Sequence, residues 1–600
     1  MDIHAWNRKD ALPEDTIEKF KSVLLSVGIH TKVVEEENYK EYWYSNRIEI
    51  DGIETVGTNG KGVSALYAMA SAFGEFLERL QSGMLTDYLF PLMRKQNTQF
   101  VSDADIKELI LGIKRFFPVV CAYMTDDEIV ELITISIEKR GFRIYEDILN
   151  KNKDKLPEYI IPILCGSNGI AAGNTFFEAF VQGISEVFER YVTQYIYKNN
   201  IEGIFSVIDE AVYRDLRSYR LIQAIEKRNY RVFVIDCSLK GKLPVIGTLI
   251  FDPGMSKYYF KLGSDADIDI ALQRCITEVF QGNSFDLNFR IRMKDVLKIN
   301  EKENGFWYGD SRKYEHTRAE VDGTGALPRA FLKCLSHKVT KISGFLPQQE
   351  SNEDAAVFMV NCCRQFSENI AVTNYTTLGI PCLRILVPDM CESFYYPGEN
   401  VSEVVKCIVK IRSLFQSGNL NSEAALDCMQ KILDYPAYVY EFSMTKLLGI
   451  IIDNNIDYPY IYNPYLFTAY LALHLGRYQI AVKYFKISGK NARTNDQIVN
   501  IDLLLAKAIQ EGVSEQEFLE FIHPMDRTGK LQSETRLIYS IRKSGLKVPA
   551  CPNCNSCYLK GHCAYDKWEP IYNKLQEAQQ IELKKEFEHF LAVLRNRTRE

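Results

Sequence analysis

The stretch that decides the fold runs from residue 58 to residue 80 and reads TNGKGVSALYAMASAFGEFLERL. With 3.6 residues per turn, Ser64, Ser71, Glu75 and Glu78 fall within an arc of about 60°, while Leu, Met and Phe side chains occupy the opposite face. A solvated surface helix is the ordinary interpretation of such a stripe. Alanines and a glycine flank the stripe, however, where a surface helix usually carries Lys, Gln or Glu. We therefore expect a ligand to approach this face closely.

A second segment, residues 167–192, repeats the design as SNGIAAGNTFFEAFVQGISEVFERYV. The ExxER pattern of the first helix returns here at Glu186, Glu189 and Arg190. One arc of about 80° holds the following polar side chains: Thr175, Glu178, Gln182, Glu186 and Glu189. Asn174 and Thr175 end a glycine-rich entry, so we expect a helix cap there with backbone N–H groups available to an anion.

A third segment, residues 267–282, reads DIDIALQRCITEVFQG and places Arg274 and Glu278 on one polar stripe. Carboxylates that lie close together repel one another, so a cluster from three helices requires cations. Oxygen ligands favour a hard cation such as Mg²⁺, which in proteins commonly also binds nucleotide phosphates. Arg190 and Arg274 would then bind phosphate and act as the catalytic cations of phosphoryl transfer. The sequence therefore predicts nucleotide chemistry, provided that the three helices meet.

Several classes of protein are excluded. The segment GTNGKG at residues 57–62 resembles a phosphate loop, but its spacing is too short and Gly62 stands where a P-loop requires Ser or Thr. The sequence has neither the protein-kinase motifs nor a Rossmann GxGxxG after a strand. The 600 residues carry a net charge of -6 without a basic block, which argues against binding of nucleic acid or of anionic membranes. We expect a cytoplasmic protein, because no signal peptide or membrane helix is apparent.

The chain is predicted to have three parts. Residues 1–400 alternate helical segments with β-rich runs, which is typical of an α/β (α+β) domain. Residues 401–545 are predicted to be all-α, with helix breaks at Gly418, Pro436, residues 457–459 and Gly489. Residues 471–485, LALHLGRYQIAVKYF, have the spacing of a tetratricopeptide-like helix pair that either packs on the main domain or binds a partner. Residues 546–600 form a Cys-rich segment and a terminal helix.

Four of the fifteen cysteines crowd into residues 551–563: Cys551, Cys554, Cys557 and Cys563. In a cytosolic chain such a cluster favours a metal over disulfides. Four thiolates suit Zn²⁺, whereas successive two-residue gaps also resemble iron–sulfur ligation. A reduced cluster without metal is the third interpretation. The other cysteines lie in apolar segments and are expected to be reduced core residues.

The three acidic segments and LGIPCLRILVPDM at residues 378–390 together resemble, in order and spacing, the YcaO family of ATP-dependent enzymes that activate peptide amides. Ser71, Glu75, Glu78 and Arg79 meet its SxxxExxER motif, and Gln182 with Glu186 meets its QxxxE motif. The resemblance covers residues 1 to about 400 and implies the YcaO α/β fold. Among family members it is strongest to stand-alone bacterial proteins, which also have a tetratricopeptide-like C-terminal region.

The resemblance implies a role for each motif residue. The implied Mg²⁺ ligands are Glu75, Glu78, Glu178, Glu186, Glu189 and Glu278. The implied nucleotide contacts are Lys9, Thr16, Ser71, Asn174, Gln182, Arg190 and Arg274. Without the resemblance, Lys9 would be interpreted as a surface lysine and Ser71 as a mid-helix serine bonded to its own backbone.

The implied function is activation of a peptide backbone amide by phosphorylation of its oxygen, with Mg²⁺ and ATP. The stand-alone members imply an accessory role in methylthiolation of small-subunit ribosomal protein twelve, with a methylthiotransferase as a partner. The alternatives are a non-catalytic ATP-binding scaffold that recruits this partner, or formation of a thioamide or azoline on another peptide. Azoline formation is disfavoured because the C-terminal HFLAVLRNRTRE lacks the proline-rich tail of azoline-forming members. The oligomeric state is open, and a homodimer is one option.

Overall fold

The computed structural model describes residues 8–35, 42–85, 101–199, 201, 203–280, 293–295, 316, 319, 325–346, 351–392, 401–434, 444–450, 452, 459–461, 463–491, 496–549, 551, 554–578 and 580–598. The chain divides into two compact units. Unit 1 comprises residues 1–86, 95–399 and 567–600, and unit 2 comprises residues 87–94 and 400–566. The terminal helix thus belongs to the large unit, whereas the sequence groups it with the cysteine segment.

Unit 1 mixes helices with strands, as the sequence predicts for an α/β domain. Its helices are α1 (Pro13–Ser26), α2 (Ala65–Gln81), α3 (Asp103–Phe116), α4 (Pro118–Cys121), α5 (Asp126–Arg140), α6 (Ile161–Cys165), α7 (Phe176–Lys198), α8 (Glu210–Tyr213), α9 (Tyr219–Glu226), α10 (Ile268–Val279), α11 (Arg329–Leu332) and α12 (Asn352–Cys363). Its strands are β1 (Thr31–Glu35), β2 (Tyr44–Ile50), β3 (Ile53–Gly62), β4 (Phe142–Asp147), β5 (Lys153–Pro157), β6 (Ile170–Ala172), β7 (Ser206–Ile208), β8 (Arg231–Asp236), β9 (Val245–Phe251), β10 (Lys257–Ser264), β11 (Lys294–Asp295), β12 (Lys338–Val339), β13 (Ala371–Asn374) and β14 (Cys382–Leu386).

The strands form three sheets in the described part of the chain, with orders β1-β2-β3, β11-β10-β9-β8-β7-β12 and β5-β4-β13-β14-β6. Pairing is antiparallel except between β12 and β7. The β-rich runs of the sequence become β8, β9 and β14. Every residue of β9, VIGTLIF, is buried, as expected for a strand at the centre of a covered sheet.

Each of the three acidic helices packs on a different sheet. Helix α2 contacts β3, α7 contacts β14 and β6, and α10 contacts β10 and β9. Glycine permits the close approach: a Cβ on Gly60 would lie 1.9 Å from the Ala68 carbonyl oxygen, and a Cβ on Gly263 would lie 2.3 Å from that of Ala271. Because backbone fills the space where a side chain would be, only glycine fits there. Gly60 and Gly62 of GTNGKG therefore serve packing against α2.

Unit 2 is helical in its described residues, as predicted. Its helices are α13 (Val401–Gln416), α14 (Glu423–Leu433), α15 (Met444–Leu448), α16 (Pro464–His474), α17 (Tyr478–Asn491), α18 (Asp496–Gln510), α19 (Glu515–Ile522) and α20 (Lys530–Ser544). Two further helices follow, α21 (Tyr565–Glu577), which begins at the end of unit 2, and α22 (Lys584–Arg597) of unit 1.

The predicted helix pair corresponds to α16 and α17, which turn at Gly476 with a φ of +71°. Ala481 is fully buried and permits close packing, but a tetratricopeptide repeat is not confirmed. The predicted break at Gly489 is wrong, because α17 continues to Asn491. A single glycine inside a helix costs only about 1 kcal/mol, so packing can override it. Pro436 and residues 457–458 lie outside the described residues. No helix in the described parts of the chain is both long and apolar enough to cross a bilayer.

Candidate active site

The three acidic helices of unit 1 meet around one cavity of about 750 Å³. It is lined by the N-terminal segment (residues 8–16) and by β3, α2, α7, β10 and α10. All thirteen nucleotide and Mg²⁺ residues predicted from the sequence line this cavity: Lys9, Thr16, Ser71, Asn174, Gln182, Arg190, Arg274, Glu75, Glu78, Glu178, Glu186, Glu189 and Glu278. The three helices therefore do meet, as nucleotide chemistry requires. The role of each residue stays a prediction.

The N-terminal segment binds to the start of α7. Thr175 caps this helix, and its hydroxyl accepts from the N–H of Glu178 at 3.1 Å. The Glu178 carboxylate accepts from the Asp10 N–H at 3.0 Å and lies 3.3 Å from the Lys9 ammonium. The Thr16 hydroxyl donates to the Asn174 side chain at 3.2 Å. Residues that are far apart in the sequence therefore form one wall of the cavity.

The same segment is anchored on its other side by an arginine that the sequence patterns missed. Arg8 Nη2 lies 2.6 Å from Asp265 Oδ1, and Arg8 Nε donates to the Asn352 side chain at 3.1 Å. The two charged side chains are 12% and 7% exposed. Only the tertiary contact distinguishes Arg8 from a surface arginine, because its partners lie more than 250 residues away in the chain.

On α2, Ser71 is exposed, whereas Glu75 and Glu78 are partly buried. Arg79 donates to the carboxylate of Glu75 one turn earlier. Burial raises the pKa of Glu78 well above its usual value, and the negative charges of Glu186 and Glu75 raise it further. The carboxylates of Glu75 and Glu186 therefore destabilise the charged form of Glu78, in the direction that the sequence argument requires.

Arginines bind the remaining carboxylates of α7. Arg190 lies 2.8 Å from Glu186 of the same helix, and Arg274 of α10 lies 3.0 Å from Glu189. Arg274 also donates to the Gln182 side-chain oxygen at 2.6 Å. The two predicted catalytic arginines are thus held in the cavity by the residues predicted to hold the metal.

A lysine of β3 completes the site, although the sequence argument did not assign it. Lys61 forms an ion pair with Glu278 of α10, and Lys261 of β10 lies 3.9 Å from the same carboxylate. Burial, together with the positive charge of Arg274, lowers the pKa of Lys61 to about 8. Lys61 belongs to the segment GTNGKG. The spacing of this segment excludes a Walker loop but does not exclude a role of its lysine in binding phosphate.

The donor set suits a hard cation because it offers carboxylate oxygens without sulfur or imidazole. The side-chain positions, however, are those of ion pairs, since the carboxylates bond to lysine and arginine. Among the described residues, no three His, Cys, Asp or Glu side chains are arranged to hold a metal ion. Binding of Mg²⁺ would therefore require the carboxylates to exchange these partners.

The cysteine cluster, residues 551–563, lies in unit 2 and is distant in the sequence from the residues that line the cavity. All four cysteines are partly exposed, and none of them forms a disulfide. Burial raises the pKa of the Cys551 thiol to about 12, and the other three thiols add to the effect. The Leu559 N–H donates to Cys557 Sγ at 3.4 Å. As no described group of such residues could hold a metal, the structure does not support the prediction of zinc or an iron–sulfur cluster.

The chain matches the family described as YcaO cyclodehydratase, ATP- and Mg²⁺-binding, over residues 59–391. An uncharacterized protein of Haemophilus influenzae is 29% identical over 419 residues, which cover 66% of this chain and 67% of that protein. The ribosomal protein S12 methylthiotransferase accessory factor YcaO of Escherichia coli is 28% identical over 420 residues, with the same coverage.

Solved structures give more distant similarities. A heterocyclase in complex with substrate and cofactor has 17% sequence identity and a TM-score of 0.44; the match covers 66% of this chain and 54% of that protein. The YcaO protein of Methanopyrus kandleri bound with AMPPCP and Mg²⁺ has 16% identity and a TM-score of 0.41, covering 63% of this chain and 91% of that protein.

Proposed function

The chain belongs to the YcaO family, and from this premise we propose that it uses ATP and Mg²⁺ to activate a backbone amide of a peptide. A nucleophile adds to the amide carbon, and the amide oxygen attacks the γ-phosphorus of ATP, with ADP as the leaving group. The carbon–oxygen bond then breaks, phosphate leaves, and the carbon keeps the nucleophile. One observation carries the proposal: carboxylates, arginines and polar side chains from separate segments line a single cavity.

The carboxylates would hold Mg²⁺, which supplies positive charge to the phosphate oxygens during transfer. The proposed ligands are Glu75, Glu78, Glu178, Glu186, Glu189 and Glu278. In exchanging partners, they would free Arg190 and Arg274 to donate to phosphate, for which a guanidinium is suited by its planar pair of donors. Ion pairs between residues of this chain would thus be replaced by pairs with the metal and the nucleotide.

The N-terminal segment and the start of α7 would bind the rest of the nucleotide. Lys9 and Asn174 offer donors at the first turn of α7, where the positive end of the helix dipole favours an anion. Thr16 is fixed against Asn174 by its hydroxyl. Ser71 lies on the exposed face of α2 and lines the cavity. These side chains position the nucleotide, which is the main contribution that a protein makes to phosphoryl transfer.

Glu75→Gln tests the site, because glutamine keeps the size of the side chain and removes its charge. We expect nucleotide binding in the presence of Mg²⁺ to weaken at least tenfold, measured by calorimetry with a non-hydrolysable ATP analogue. Glu54→Gln is the matched control, since the Glu54 side chain is 69% exposed and lies outside the cavity lining. Equal affinity of the wild type and the Glu75 variant would defeat the assignment.

We further propose an accessory role in methylthiolation of small-subunit ribosomal protein twelve, supported by the name of the Escherichia coli relative. The α16–α17 helix pair would be tetratricopeptide-like and would contact a methylthiotransferase, and the reaction would take place in the cytoplasm with the ribosomal protein. Release of ADP that depends on this protein substrate is the expected result. A Glu189→Gln variant that loses ATP turnover but still supports methylthiolation would instead favour a non-catalytic scaffold.

A further inference from the structure

Among the described residues of β3, Lys61 is the one basic side chain that lines the cavity. Its strand alternates: Thr58, Gly60 and Gly62 are buried, whereas Asn59 and Lys61 are only partly buried. The buried glycines face α2, since an added Cβ there would meet its backbone. The alternation of side chains along a strand therefore directs Lys61 to the opposite face, towards the cavity.

At that position Lys61 lies among charges of both signs. Its direct partner is Glu278, which also interacts with Lys261. Arg274 and Glu189 are the next charges that act on Lys61. Lys261 and Glu75 also act on Lys61. Three basic side chains thus share three carboxylates, and all three carboxylates belong to the proposed Mg²⁺ ligands.

We propose that Lys61 binds the terminal phosphate of ATP, the group that is transferred in the proposed function on which this inference rests. Once these three carboxylates bind Mg²⁺, the charged neighbours left to Lys61 are the cations Arg274 and Lys261. The Lys61 side chain is only 27% exposed. It then requires an anionic oxygen, because a largely desolvated charge without a partner is costly. Mg²⁺ held by these carboxylates would supply positive charge to the phosphates, and Lys61, beside the same carboxylates, would lie near the group that is transferred.

The positions along α7 of the carboxylates that interact with Lys9 and Lys61 agree with this assignment. Glu178, which pairs with Lys9, and Glu189, which interacts with Lys61, are eleven residues apart on one helix. At 1.5 Å per residue they are separated by about 16 Å along its axis. Lys9 and Lys61 therefore serve different parts of the nucleotide, and Lys61 lies at the end with most of the carboxylates. A compact, flexible ammonium also suits an oxygen that moves during transfer.

The test compares two probes, a non-hydrolysable ATP analogue and ADP, each with Mg²⁺ in calorimetric titrations. For Lys61→Met we expect the affinity for the analogue to fall at least tenfold and the affinity for ADP to change less than about threefold. Lys61→Arg should keep part of the preference for the analogue, because it keeps the charge. Lys32→Met, on the exposed edge strand of the same sheet, is the control and should change neither affinity.

The outcomes separate this inference from the proposed function. Binding of both probes by the wild type supports the nucleotide site, and an equal loss of both in Lys61→Met overturns the assignment to the terminal phosphate. Unchanged binding of both probes in that variant also overturns it. A wild type that binds neither probe defeats the proposed function, and the inference with it. Lys61→Gln repeats the comparison if the methionine variant unfolds at a lower temperature.

Discussion

Replacement of Gly60 by alanine separates a packing role of GTNGKG from a phosphate-binding role. The added Cβ would lie 1.9 Å from the Ala68 carbonyl oxygen and 2.3 Å from the Ala72 nitrogen. Both are backbone atoms of α2, so no side-chain rotation can relieve the clash. An ordinary contact begins near 3.4 Å, and the helix would therefore have to move by about 1.5 Å from the strand. We expect Gly60→Ala to destabilise unit 1.

The expected cost is about 3 kcal/mol, the upper part of the range for an overpacked core, because backbone rather than a side chain must yield. Thermal unfolding followed by circular dichroism measures this loss. A lower nucleotide affinity should accompany it, because α2 carries Glu75 and Glu78. In contrast, a phosphate loop would show lower nucleotide affinity with an unchanged unfolding temperature, and this result would refute the packing argument.

Gly74→Ala is the matched control. Gly74 lies within α2, and the nearest atom to its added Cβ would be Phe20 Cε2 at 3.9 Å, an ordinary contact. Alanine in a helix interior is more favourable than glycine by about 0.5–1 kcal/mol. Replacement of glycine by alanine should therefore stabilise the protein at Gly74 and destabilise it at Gly60.

Three further predictions concern buried contacts. Burial raises the pKa of Asp502 well above its usual 3.8, so its neutral form is favoured in the folded protein and this stability is lost as the pH rises through the folded-state pKa. Asp502→Asn keeps an acceptor for the Tyr470 hydroxyl and should raise the unfolding temperature at pH 7 but not at pH 4. Arg8→Met leaves Asp265 buried without its cation and should cost about 3 kcal/mol in the free energy of unfolding, measured by urea denaturation. Phe590→Ala removes a buried ring of α22 that contacts three phenylalanines of α7, and should lower the unfolding free energy of unit 1 by about 3–5 kcal/mol.

Each has a control. Glu520→Gln, at an exposed position, should leave the pH dependence unchanged; a shift like that of the Asp502 variant would contradict burial as the cause. Asp265→Asn should recover much of the stability lost in Arg8→Met, and no recovery would mean that the pair does not interact. Phe521→Ala, at a ring that is 59% exposed, should have little effect, and an effect as large as that of Phe590→Ala would rule out ring packing as the reason.

Local patterns were sufficient for the elements that carry the site. The polar stripes of residues 58–80 and 167–192 predict α2 and α7, and the glycine-rich entry predicts the cap at Thr175. A helix stripe depends only on a period of 3.6 residues, so it is visible within a few turns. The break expected at Gly489 is wrong, because one glycine costs a helix only about 1 kcal/mol and α17 continues to Asn491.

The sequence by itself determined which side chains could form an acidic, arginine-containing site and the family to which the chain belongs. Only the tertiary structure decided that α2, α7 and α10, lying on three different sheets, bring those side chains to one cavity, and that Arg8 and Lys61 belong with them. The physical reason is that helix periodicity is a local property, whereas an ion pair such as that of Arg8 and Asp265 depends on packing between segments that are distant in the chain. Gly60 and Gly62 of β3 illustrate both levels: the glycine-rich sequence suggests a loop, whereas in the structure α2 fills the space beside these two glycines.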